Sequence, residues 1–157
     1  MIRRATVVAV GRLKGWAADG CEDYLGRLRR YFPVEISEVS EEDMNRRPTN
    51  EVLATEGERL LRRIPTGAYV IALDREKGKQ LSSEEFARKL GSLGLSGRSH
   101  VAFVVGGPLG LSHELLERAD ERLSLGNITL PHALARVVLL EQIYRAVKIV
   151  RGEKYHW

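Results

Sequence analysis

Residues 100–112 read HVAFVVGGPLGLS. Residues 100–105 are apolar almost throughout, as a strand is when both of its faces are covered, and that places them at the centre of a sheet. Gly106, Gly107 and Gly110 end the run, and Ser112 stands where its hydroxyl caps a helix reaching about Ala119. Glu114 falls in the first turn of that helix, where a carboxylate suits the positive end of the dipole. The unit is strand, tight turn, helix.

The same unit repeats on either side. Toward the N-terminus, residues 5–10 (ATVVAV) are a short β-branched strand ended by Gly11. Residues 16–31 place Trp16, Tyr24, Leu25, Leu28 and Tyr31 at helical spacing, and residues 34–39 (VEISEV) alternate like a strand with one wet face. After the loop-like EEDMNRRPTN, Thr49 or Asn50 can cap a helix whose stripe is Leu53, Gly57, Leu60, Leu61 and Ile64. Residues 68–73 (AYVIAL) form a third strand, and Ser82 with Glu85 is a capping-box signature for a helix over 83–93. Beyond Ala119 come a short strand near 121–125 and the connector SLGNITLPH at 124–132. Pro131 suits the first position of the last helix, where its missing N–H costs nothing. The expected fold is α/β, a mostly parallel sheet with helices on both faces. Neither a repeat nor a linker divides the chain, so residues 1–157 read as a single domain.

Composition narrows the function classes. The net charge of +4 is unevenly spread. Residues 1–32 hold seven Lys/Arg against three Asp/Glu, and residues 131–157 hold five against two, so both ends are basic. Clustered cations suit a polyanion such as nucleic acid, although a merely solvated basic surface has the same composition. The single cysteine, Cys21, excludes an intrachain disulfide and fits a reducing compartment. The apolar run in MIRRATVVAVG is too short for a signal sequence, and no stretch is apolar enough for a membrane span, so a cytoplasmic location is expected. His100, His113, His132 and His156 lack ligand spacing, so no metal is expected.

The last helix is apolar in too many directions for one core. Leu134, Val137, Val138, Leu140, Ile143, Tyr144, Val147, Ile149 and Val150 surround it, and such a helix must be covered on every side. With only its own sheet to pack against, it calls for a second subunit: a homodimer with residues 134–150 in the interface. Glu141 and Arg145 have the spacing of a helical ion pair.

Ligands of open parallel sheets bind beyond the carboxyl ends of the strands. Three connections leave such ends: LDREKGK from Leu73, GGPLGLS from Gly106 and SLGNITLP from Ser124. The middle one lacks the Gly-Lys-Ser/Thr of a P-loop and is not the dinucleotide fingerprint; the alternative reading of its glycines is a plain tight turn. Asp74 and Glu76 are either an acid/base pair or ordinary loop charges. No nucleophile elbow or Cys/His pair is present.

VAVGRLK, LDREKG, FVVGGPLGLS, ITLPHALARVVLLEQIYRA and the terminal Tyr155-His156, in this order over the whole chain, resemble the ribosomal large-subunit RNA pseudouridine N3-methyltransferase family. These are small bacterial members of the knotted SPOUT methyltransferase superfamily. The resemblance implies a C-terminal trefoil knot, S-adenosyl-L-methionine as methyl donor, a homodimer, and a pseudouridine of large-subunit ribosomal RNA as target; because the chain has no separate RNA-binding domain, we expect the assembled ribosome to be what the dimer recognises. The family's cofactor positions fall on Leu73, Gly106, Gly126, Asn127, Ile128, Thr129, Leu130 and Pro131. Leu73, Ile128 and Leu130 would wall an adenine ring, and glycine at 106 and 126 would let the main chain approach it. The resemblance also directs attention to Tyr155, His156 and Arg136 for holding the base and its phosphates, with His156 as proton acceptor; the alternative is that Arg136 is a salt-bridge partner in the dimer and the C-terminal pair only docks the tail. Two departures stand out: Lys154 replaces a proline before the terminal pair and Trp157 follows it, and Gly126 replaces a common serine. The alternatives are a knotted enzyme for tRNA or unmodified uridine, and a catalytically silent RNA-binding ribosome assembly factor.

Overall fold

The computed structural model describes residues 1–155. In chain order the elements are β1 (Arg4–Val10), α1 (Gly15–Leu28), β2 (Val34–Val39), α2 (Thr49–Arg63), β3 (Tyr69–Leu73), β4 (Lys79–Gln80), α3 (Ser83–Leu95), β5 (His100–Val105), α4 (His113–Arg118), β6 (Glu121–Ser124) and α5 (His132–Val150). The strands form one six-stranded sheet in the order β2-β1-β5-β3-β6-β4, parallel at every pairing. β5 lies inside, between β1 and β3, as its unbroken apolar run requires. Its side chains divide by the two-residue period: Val101, Phe103 and Val105 enter the core shared with α1, α3 and α5. Ala102 and Val104 enter the core under α2 and α4.

Local signals hold where the chain makes its own bonds. The Ser82 hydroxyl accepts the Glu85 N–H at 3.1 Å, and the Glu85 carboxylate accepts the Ser82 N–H at 2.7 Å. Ser112 caps α4 by accepting the Leu115 N–H at 3.2 Å. Several expected boundaries move. α1 stops at Leu28, so Tyr31 lies beyond it, and Trp16 is 65% exposed rather than part of the buried stripe. α2 begins at Thr49 with Pro48 in the capping position and no side-chain cap. Its buried face is Val52, Glu56, Gly57 and Leu60, with Leu53 only half-buried. Close packing sets this rotation, because a Cβ on Gly57 would lie 2.4 Å from the Ser112 hydroxyl. Pro131 occupies the capping position, not the first helical position, of α5. β4 was not expected; two residues of pairing extend the sheet beyond β6.

The premise about the last helix needs correction. α5 does not rest on its sheet alone but lies between α1 and α3. A Cβ on Gly20 of α1 would sit 3.4 Å from Val137, and Ser83 of α3 donates to Gln142 at 2.7 Å. Tyr144 packs on Tyr24 and Tyr31. Arg136, Leu139, Leu140, Ile143, Ala146 and Val147 are buried within the chain. What remains half-covered is an outer stripe of Leu134, Val138, Glu141, Arg145 and Lys148. Its Glu141–Arg145 pair forms as the spacing implies, at 2.6 Å. No helix among the described residues is long and apolar enough to cross a membrane.

Candidate active site

The turns leaving β3, β5 and β6 meet at the carboxyl edge of the sheet and enclose a cavity of about 600 Å³. Of the expected cofactor residues, Leu73, Gly106, Gly126, Ile128, Thr129, Leu130 and Pro131 all line it. Asn127 does not: its side-chain oxygen accepts from Gln80 at 2.7 Å, and its carbonyl accepts from Arg75 at 3.3 Å. Asn127 therefore ties the third turn to the first instead of facing inward. Sequence reasoning missed Asp74, Arg75, Gly107, Pro108, Leu125 and His132 as lining residues. Most adjoin residues it had named, so the turns were legible as segments while the inward-facing positions were not.

Each turn is held by specific bonds. In the first, the Asp74 carboxylate accepts the N–H groups of Glu76 and Lys77 at 3.2 and 3.3 Å. A Cβ on Gly78 would fall 2.3 Å from the Asp74 carbonyl, so only glycine closes this turn. In the second, a Cβ on Gly106 would fall 2.4 Å from the Gly110 carbonyl, and Gly110 has a φ of +87°. Gly106 is thus required by the turn's own backbone, before any ligand enters. In the third, Gly126 has a φ of +125°, which a serine would adopt only under strain. The buried Ser124 hydroxyl lies 3.1 Å from the carbonyls of both Arg75 and Gly126 and accepts the Gly126 N–H. One hydroxyl thereby joins the first and third turns.

The walls are apolar, from Leu73, Val105, Leu123, Leu125 and Leu130, while Asp74 and Arg75 place one charge of each sign beside them. Ile128 is 80% exposed at the rim, an apolar side chain without cover. Such a cavity falls within the range of about 300–1,000 Å³ typical of cofactor-sized ligands. Among the described residues no group of His, Cys, Asp and Glu is arranged to hold a metal ion.

Arg136 and Tyr155, expected to hold the base, are not gathered at this cavity. Arg136 is 1% exposed; its guanidinium pairs with Glu38 and donates to the carbonyls of Val10 and Gly11 at 3.2 and 3.0 Å. In place of a base or phosphate, it binds the carboxyl ends of β1 and β2 to α5. Tyr155 docks on the far half of α5, donating to Glu141 at 3.2 Å and standing edge-on to Tyr144. Burial, and then a hydrogen bond with Tyr24, hold its phenol above the usual range. Helical rise puts Glu141 to Arg145 roughly 13–20 Å along the axis from His132 at the cavity. His156, the expected proton acceptor, and Trp157 lie outside the described residues.

Comparison with known proteins adds a family. The family described as "Predicted SPOUT methyltransferase" matches residues 3–156. "Ribosomal RNA large subunit methyltransferase H" of Rubrobacter xylanophilus is 71% identical over the full length of both chains. The protein of the same name from Carboxydothermus hydrogenoformans is 49% identical, over 96% of this chain and 98% of its own. Among solved structures, a Legionella pneumophila protein described as a methyltransferase in complex with bound SAM superposes with a TM-score of 0.50 at 14% identity, over 93% of this chain. A probable methylase family protein from Haemophilus influenzae superposes at 0.53 and 13%, over 97% of this chain. This chain spans 66% and 68% of those two solved chains, and at such identity the likeness is one of fold.

Proposed function

The chain belongs to the SPOUT methyltransferase family, and on that premise we propose that it methylates N3 of a pseudouridine in large-subunit ribosomal RNA, using S-adenosyl-L-methionine. The observation that carries the donor site is the cavity built by three turns at one sheet edge. The full-length relatives' name supports the RNA class. Such an enzyme works where ribosomes are, in the cytoplasm, and we include the trefoil threading of the C-terminal part in this reading.

The donor supplies a methyl group on a sulfonium centre. The chain's task is to orient it and to take the proton from the pyrimidine nitrogen. Leu73, Leu130 and Ile128 would flank the adenine, and covering Ile128 on binding removes apolar surface from water at about 25 cal/mol per Å². Main-chain groups of the Gly106 and Gly126 turns would read its edge. Ser124 holds two of the three turns in register before the ligand arrives, so less ordering remains to be done at binding.

The position of Tyr155 supports a homodimer. Tyr155 docks away from its own chain's cavity, so a tail that serves a cavity is most simply supplied by a second copy across the outer stripe of α5. In that assembly Tyr155 holds the target base and His156 accepts its N3 proton. The deciding experiment is methyl transfer from labelled donor to ribosomes that carry or lack the pseudouridine. Transfer only to the former, with N3-methylpseudouridine found by mass spectrometry, is the expected result; equal transfer to both would refute the target.

A further inference from the structure

The loop between β1 and α1 bears a surface that the donor cavity does not use. The geometry points to residues 11–16, GRLKGW, as a contact for single-stranded RNA, with Trp16 stacking on a base and Arg12 and Lys14 meeting phosphates; this rests on the RNA-methylating reading above. Trp16 is 65% exposed, in a chain whose other tryptophan lies outside the described residues. Leaving so large a ring in water forgoes burial that its neighbours could have provided, since Ala17 and Cys21 on the same helix are buried.

The loop's alternation explains the arrangement. Leu13 packs against the core, while Arg12 and Lys14 on either side of it are exposed. Neither cation has an ion pair or hydrogen bond among the described residues, whereas most surface arginines of this protein do. Of the nearby carboxylates, Glu38 is engaged by Arg136 and by the Leu13 N–H at 3.0 Å, while Glu41, near Gly11, and Asp19, on α1, are exposed. The Glu38–Arg136 pair fixes the loop's base.

Position makes the surface relevant to the reaction. A Cβ on Gly11 would lie 3.6 Å from His132, which lines the donor cavity, and α1 and α5 run side by side from this edge. A strand threading toward the cavity would cross the loop. An aromatic ring stacks on any base, and paired cations track the backbone, which is how single strands are held without reading sequence.

The test uses purified assembled ribosomes and tritiated S-adenosyl-L-methionine. Trp16→Ala should raise KM for ribosomes roughly tenfold, with kcat within about twofold, and Trp16→Phe should restore most of the loss. The double variant Arg12→Ala/Lys14→Ala should flatten the dependence of log affinity on log salt by about 1.4, two single-strand phosphates' worth. Donor affinity by calorimetry and mass by sedimentation should not change. An unchanged KM overturns the proposal. So does a change of mass, which would make Trp16 a contact between copies, or lost donor affinity, which would assign it to the cavity. Retention on ribosomes is read separately from methyl transfer. If the unaltered protein transfers no methyl group, the functional reading fails, while the loop still stands or falls on retention.

Discussion

A guanidinium that is 1% exposed has no water to solvate it, so its partners must. Arg136 finds Glu38 and two strand-end carbonyls, and its Nε has no partner among the described residues. Replacing it with methionine, Arg136→Met, should cost about 3 kcal/mol in denaturant unfolding, the lower end for a broken buried pair because Glu38 keeps access to water. The same variant should speed hydrogen exchange at the Leu13 amide, whose acceptor is Glu38. A second residue ties stability to alkaline pH. Burial, and then donation to Glu121 at 2.7 Å, push the Tyr69 phenol up to about 12 from its usual 10. Both states keep the proton below pH 10, so the contribution is intact there. Between 10 and 12 the unfolded chain ionises first and stability falls. Tyr69→Phe should remove that part of the alkaline loss, as seen by melting temperature against pH. At this scale the sequence, through its resemblance to a family, singled out Arg136 for the base and its phosphates. It could not show which way the side chain pointed, because Glu38 is 98 residues away.

Helices and strands announce themselves through caps and periods, and here most did. The capping box at Ser82 and the cap at Ser112 are local bonds, legible three residues at a time. The face of α2 was not legible, since Gly57 meets Ser112 from a distant segment. That contact reverses an ordinary expectation. An alanine in mid-helix is normally favoured over glycine by about 1 kcal/mol. Gly57→Ala should instead lower the melting temperature, because the new methyl displaces Ser112 and uncaps α4, at about 0.5–2 kcal/mol for the cap alone. A rise in melting temperature would mean that α2 and α4 separate freely. Trp16 marks the other failure of periodicity: helical spacing says which residues share a stripe, not where along the stripe the core ends.

Assembly is decided at the scale of the whole molecule. The outer stripe of α5 presents Leu134 and Val138 above the Glu141–Arg145 pair, with Tyr155 laid over that pair. Val138→Asp should halve the sedimenting mass, keep donor binding and abolish methyl transfer; transfer by the resulting monomer would show that one chain suffices. The sequence by itself determined five of the six strands, the caps at Ser82 and Ser112, the α/β class and the three turns that bear the cavity. These depend on alternation, turn glycines and bonds between near neighbours. Only the tertiary structure decided strand order, the lodging of α5 between α1 and α3, the inward use of Arg136 and the separation of Tyr155 from its own cavity. The physical reason is reach: propensity and capping act over a few residues, whereas a buried charge or a helix face is settled by whichever distant segment arrives to cover it.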